Sequence, residues 1–106
     1  MSSVRFSRRA EADLEQIGLY TLETWGRRQA VQYLRQIENT VSLLGDNPEL
    51  GRACNEIRPG LRRLECGSHV LFYRRLGAED IVITRILHRS MIPVRHPFED
   101  DTDQVD

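Results

Sequence analysis

The sequence predicts an α+β fold: a short N-terminal strand, then an αα-hairpin packed on one face of an antiparallel β-meander, in the order β-α-α-β-β-β. Three observations carry this. Residues 61–91, LRRLECGSHVLFYRRLGAEDIVITRILHRSM, crowd Val70, Phe72, Tyr73, Ile81, Val82, Ile83, Thr84 and Ile86 into runs too short for helices. Those runs are punctuated by Gly67-Ser68, a two-residue hairpin turn, and by a looser turn over 77–80. Upstream, the apolar residues change to a spacing of three and four.

Val4, Arg5 and Phe6 alternate apolar and polar and read as a first strand added to the meander. Ser7 is a candidate N-cap for the first helix, in which Ala10, Leu14, Ile17 and Thr21 follow at helical spacing, with Leu22 and Trp25 near its end. Gly26 then punctuates. Ala30, Leu34, Ile37, Val41 and Leu44 form one stripe of a second helix of about 17 residues, roughly 25 Å long. Gly45, followed by Asp46-Asn47-Pro48, is expected to end it. The connection from Gly45 to Gly60 is long for a compact domain and contains Pro48, Gly51 and Pro59.

Strict alternation in the last strand puts Ile81, Ile83, Arg85 and Leu87 on one face and Val82, Thr84, Ile86 and His88 on the other. The middle strand opposes Val70, Phe72, Arg74 and Leu76 to Leu71, Tyr73 and Arg75. Both faces are mainly apolar, so each needs a cover. The helical hairpin supplies one. The other is expected to invite a second polypeptide.

At 106 residues the chain holds one domain, expected over 1–98, with an acidic and disordered tail at 99–106. Five acids lie in that tail, so residues 1–98 carry a net +4. Residues 52–98 hold nine Arg against four acids, which makes the sheet half the basic half. All fifteen basic residues are Arg. Guanidinium suits planar carboxylate and phosphate recognition, although base composition of the genome is an equally simple source. No apolar run has the length of a membrane span and no apolar signal core opens the chain, so a cytoplasmic protein is expected. Cys54 and Cys66 lack metal-ligand spacing and are expected as reduced thiols.

Phosphate loops, zinc clusters and Ser-His-Asp arrangements in context are absent, so no cofactor or metal is implied. The histidines, His69, His88 and His96, read as surface or hydrogen-bonded groups. Arg62, Arg63, Arg74, Arg75, Arg85 and Arg89 sit on adjoining strands or at their ends. They serve either as solvated charges that discourage edge pairing or as a site for an anion or acidic partner.

Four pieces in order resemble the RelE/ParE superfamily of bacterial toxins, and ParE most: Asn47-Pro48 with Gly51-Arg52; Glu56-Ile57-Arg58-Pro59-Gly60-Leu61-Arg62; Gly67-Ser68-His69 leading to Phe72-Tyr73-Arg74; and Arg85-Ile86-Leu87-His88-Arg89-Ser90-Met91. The resemblance spans Val4 to about Phe98. It implies a toxin of a type II toxin-antitoxin pair that inhibits DNA gyrase, stabilises plasmids or genomic loci, and is neutralised in a hetero-oligomer by a ParD-like antitoxin. Such an antitoxin can dock by helix-in-groove contact or strand addition. The residues expected at partner contacts are Arg58, Arg62, Tyr73, Arg75, Arg85, His88, Arg89, Met91, Arg95, His96 and Phe98, with Arg pairing carboxylates and Tyr73, Met91 and Phe98 as apolar anchors. On this reading the protein does no chemistry. The alternative is a RelE-like ribosome-dependent mRNA endonuclease, in which Arg62, Arg63, Arg75 and Arg85 would stabilise charge at phosphorus and His88 would move a proton.

Overall fold

The structure, a computed structural model, describes residues 3–92. The domain boundary expected at residue 98, the acidic segment 99–106, and Arg95, His96 and Phe98 lie outside the described residues. The elements run β1 (Ser3–Phe6), α1 (Arg8–Trp25), α2 (Arg27–Asp46), β2 (Arg52–Ala53), β3 (Arg62–Cys66), β4 (His69–Arg75) and β5 (Asp80–His88), with a single 3-10 turn over Arg89–Met91. They build one five-stranded sheet in the order β1-β5-β4-β3-β2. β3, β4 and β5 form the expected meander, and β1 joins it in parallel along β5, from Ser3 opposite Asp80 to Phe6 opposite Ile83.

Local chemistry explains the helix boundaries. Ser7 is the N-cap of α1: its Oγ accepts the Ala10 N–H at 3.1 Å and donates to the Thr84 carbonyl at 2.8 Å, tying the start of α1 to β5. Gly26, at φ 94°, takes the Leu22 carbonyl and turns the chain directly into α2. The stop expected at Gly45 is one residue early. Gly45 is buried inside α2, and the helix runs to Asp46 with Asn47 as its cap. The long connection is also more ordered than its length suggests, because Arg52–Ala53 pairs with Arg62–Arg63 as a fifth, edge strand.

Two apolar clusters lie on opposite sides of the sheet. On the helix side, Ile17 and Ala10 of α1 and Ile37 and Leu44 of α2 meet Leu71, Tyr73, Ile81, Ile83 and Ile86. On the far side Val70, Phe72 and Leu87 are covered by Cys54 and Leu61, with Ile57 and Ile92 packed against them. This corrects the expectation that a partner must close the second face. Phe72 and Val70 are 0% exposed and Leu87 3%, so the chain's own connection already shields them. At about 1.5–3 kcal/mol for each large apolar side chain, three such burials are ample reason for the connection to fold down. Cys54 and Cys66 fall in different clusters, on opposite faces of the sheet, and both thiols are free.

Strict alternation fails once, in β5. The register slips where Phe72 opposes Arg85 while Tyr73 opposes Ile83, leaving Thr84 as an extra residue, a β-bulge whose Oγ1 donates to the Phe72 carbonyl at 3.1 Å. The bulge reverses the face of everything after it. Ile86 therefore joins Ile83 under the helices, and Leu87 moves to the far side.

Candidate partner-binding site

The hairpin carries more apolar residues than its sheet-facing stripe needs. Leu19, Leu22 and Val31 are 54%, 45% and 44% exposed, and they line a groove of about 680 Å³ with Phe6, Leu14 and Leu34. The groove runs from Phe6 of β1 across α1 and α2. Glu11, Glu15, Arg27 and Glu38 also line it and bring both signs of charge. The groove is mainly apolar, and its charged residues lie among the apolar ones of both helices. It adjoins the outer edge of β1, which no described strand pairs.

The arginines do not gather into one patch. Arg85, with its side chain 16% exposed, gives Nε to Asp13 Oδ2 at 2.9 Å and Nη2 to Asp13 Oδ1 at 3.2 Å. The same carboxylate accepts the Ile86 N–H at 2.9 Å, on the stretch of β5 that extends beyond β1. Asp13 thus ties α1 to β5 through both a charge pair and a backbone donor. Arg75 is bound at 2.6 Å to Glu49 and at 2.7 Å to the Ala78 carbonyl. Arg62 donates to the carbonyls of Gly51 and Glu49, holding the long connection. Arg63 lies on the far side of the sheet, 5.6 Å above the Phe72 ring, with Glu65 at 3.7 Å. Arg58 is half-buried in the connection, and Arg89 is exposed on the 3-10 turn.

Tyr73 is corrected from surface anchor to core residue. It is 0% exposed, and its hydroxyl donates to the Pro48 carbonyl at 2.8 Å while accepting the Gly51 N–H at 2.9 Å. A Cβ on Gly51 would lie 2.6 Å from that hydroxyl and 2.4 Å from the Arg63 carbonyl, so only glycine fits. The Asn47-Pro48 and Gly51-Arg52 pieces of the sequence are therefore the clamp that pins the connection to β4.

His88 and Met91 line a different feature, a cleft of about 750 Å³ between the end of the sheet and the crossing of α1 and α2. His69, Tyr33 and Asp13 line it too. Burial first, and His88 second, hold the His69 pKa below the usual imidazole range, with Asp13 opposing. Sequence reading passed over Asp13 and Tyr33, and among the groove residues it passed over Leu19 and Val31 and counted Leu22 only as an apolar residue near the end of the first helix. The last three left a signal: they are apolar positions beside the stripe, in excess of what one buried face uses. Asp13 left none, because its partners are more than seventy residues away.

Two helices on one face of a five-stranded sheet, with an apolar groove open on the hairpin, define a small α+β domain. Residues 4–93 match the family described as the ParE toxin of the type II toxin-antitoxin system parDE. Toxin ParE1 of Mycobacterium tuberculosis is 49% identical over 82 residues, covering 77% of this chain and 84% of the relative. Toxin ParE1 of Caulobacter vibrioides is 42% identical over 91 residues, covering 86% and 93%. Among solved structures, a chain of the chromosomal ParDE toxin-antitoxin system from P. aeruginosa superposes with a TM-score of 0.71 at 26% identity, covering 83% of this chain and 96% of that one. A chain of the Mycobacterium tuberculosis toxin-antitoxin complex RelBE2 gives 0.64 at 22% identity over 83% and 98%, a likeness of fold. The chain belongs to the ParE toxin family of type II toxin-antitoxin systems.

Proposed function

We propose that this protein is a toxin that inhibits DNA gyrase by binding it, without chemistry of its own, and that a ParD-like antitoxin neutralises it in a cytoplasmic hetero-oligomer encoded to stabilise a plasmid or genomic locus. The observation that carries the antitoxin part is the apolar groove on the hairpin. An amphipathic helix of the antitoxin lays its apolar face against Leu19, Leu22 and Val31, and an extended segment beyond it adds to the free edge of β1. Relatives named as ParE toxins, and a neighbour taken from a ParDE system, support the same reading.

The binding reading is favoured over the endonuclease alternative by how the arginines are engaged. Arg85, Arg75 and Arg62 already serve Asp13, Glu49 and the connection carbonyls. Arg63 lies over Phe72 on the far side, whereas His88 opens into the cleft on the helix side. That separation of Arg63 from His88, with the other arginines engaged, supports binding over cleavage. The deciding experiment pairs a gyrase supercoiling assay with mRNA cleavage on translating ribosomes. Inhibition of the first without cleavage in the second is expected. Cleavage without inhibition would overturn the reading.

A further inference from the structure

The arginines as a set are dispersed, but strand register gathers three of them on the far face of the sheet. Leu64 and Tyr73 pack under the helices, which sends Arg63 and Arg74 to the other side. Arg52 of β2 stands directly opposite Arg63 of β3, and Arg63 directly opposite Phe72 of β4. Arg74, two residues further along β4, is therefore the diagonal neighbour of Arg63, with Cα atoms roughly 7–8 Å apart. Like charges set across neighbouring strands repel one another unless an anion joins them. Glu65 comes only to 3.7 Å from Arg63 Nη2, too far for a hydrogen bond. The Nε atoms of Arg63 and Arg74 are out of contact with water and have no hydrogen-bond acceptor among the described residues. Arg85 shows what such a group takes elsewhere in the chain, since its Nε and Nη2 donate side by side to the two oxygens of one carboxylate, Asp13.

We propose that the acidic segment 99–106 of this same chain docks on that face, its carboxylates pairing with Arg63, Arg74 and Arg52. The place where the chain leaves the described residues singles out this occupant. Ile92 packs against the far-side cluster of Val70, Phe72 and Leu87, and the Arg63 guanidinium lies 5.6 Å above the ring of Phe72, on the same face. Six residues, 93–98, separate Ile92 from Glu99, and at about 3.3 Å each they span up to roughly 20 Å. The three arginines lie on β4 and the two strands beyond it, spaced about 4.8 Å apart, within that reach. Glu99, Asp100, Asp101, Asp103 and Asp106 then bring five carboxylates within eight residues, against a net +4 on residues 1–98. Single exposed ion pairs are weak, but a link this short holds the segment at an effective concentration in the millimolar range, so weak pairs suffice. The docked segment screens the basic face from other polyanions and leaves the groove on the hairpin, across the sheet, untouched.

The test compares the full chain with a neutralised form of it, carrying Glu99→Gln, Asp100→Asn, Asp101→Asn, Asp103→Asn and Asp106→Asn, through the arginine Nε–H signals in NMR. Those of Arg63 and Arg74 are expected to differ between the two chains at about 50 mM salt and to converge at about 500 mM, as screening releases the segment. A capped peptide with the sequence of residues 99–106, added in trans, should bind the neutralised chain at least about tenfold more tightly than the wild type, whose own segment competes for the face. In the neutralised chain Arg52→Gln, on the exposed edge strand, should weaken that binding severalfold, and Arg63→Gln more. Identical Arg63 and Arg74 signals in the two chains, equal affinity of the peptide for both, or undiminished binding by both arginine variants would each overturn the assignment. Neither gyrase nor antitoxin enters these measurements, so their outcome stands apart from the proposed function.

Discussion

Asp13 does at one residue what most carboxylates in the chain do not, because its two oxygens serve three donors: Nε and Nη2 of Arg85 and the Ile86 N–H. Both side chains of the pair are about 15% exposed, so removing one leaves a largely desolvated charge without its partner. Asp13→Ala should therefore cost on the order of 3 kcal/mol, a fall in Tm of roughly 10–20 °C for a domain of this size. A fall below about 3 °C by calorimetry would show that the pair is ordinary surface charge. His69 makes a pH-dependent contribution of opposite character. Its folded pKa lies below the unfolded value of about 6.5, so the folded state binds fewer protons and its stability, full above that value, is lost as the pH falls through the folded pKa. Urea midpoints at about pH 7.5 and 5.5 should differ less in His69→Asn than in the wild type. Tyr73→Phe tests the clamp: the Pro48 carbonyl and the Gly51 N–H lose a shared partner, which should cost about 1–3 kcal/mol and increase proteolysis within residues 47–60.

The elements record how much of the fold was legible and what was not. Ser7, Gly26 and the two apolar stripes act through neighbours within a turn or two, and the structure agrees with them to within a residue or two. Ser7→Ala should accordingly lower stability by about 1–2 kcal/mol, since it removes both the cap to Ala10 and the bond to the Thr84 carbonyl; an unchanged thermal midpoint would deny Ser7 that role. The bulge at Thr84 was not legible, because nothing in a period-two run marks an extra residue. Its consequence is large, since it moves Leu87 to the far side and leaves His88 lining the cleft with His69. Strand β2 was hidden for the same kind of reason, as two residues are too few for alternation and depend wholly on pairing with Arg62 and Arg63. The sequence motifs that carry the family resemblance turn out largely structural. Gly51 meets Tyr73, and Gly67, at φ 60°, lies where any Cβ would fall 2.7 Å from the Tyr33 ring.

At the scale of the whole molecule, the surplus of apolar surface lies on the helices rather than on the sheet. The sheet closes itself with the 47–61 connection and Ile92, while Leu19, Leu22 and Val31 remain in contact with water. An exposed Leu contributes little to folding, so Leu22→Glu and Val31→Glu should change the Tm by no more than about 2 °C. The same substitutions place a charge in a groove that a partner helix would dehydrate, where truncating or charging a central anchor costs about 2 kcal/mol or more. Affinity for the proposed ParD-like antitoxin, measured by titration calorimetry, should fall at least about thirtyfold for either variant. Asp13→Asn is the contrasting control, expected to lower stability while leaving that affinity near its original value, because Asp13 sits on the cleft side of α1 and not in the groove. If the groove variants bind unchanged and the stability variant does not, docking depends on the overall fold and the hairpin groove is not its seat.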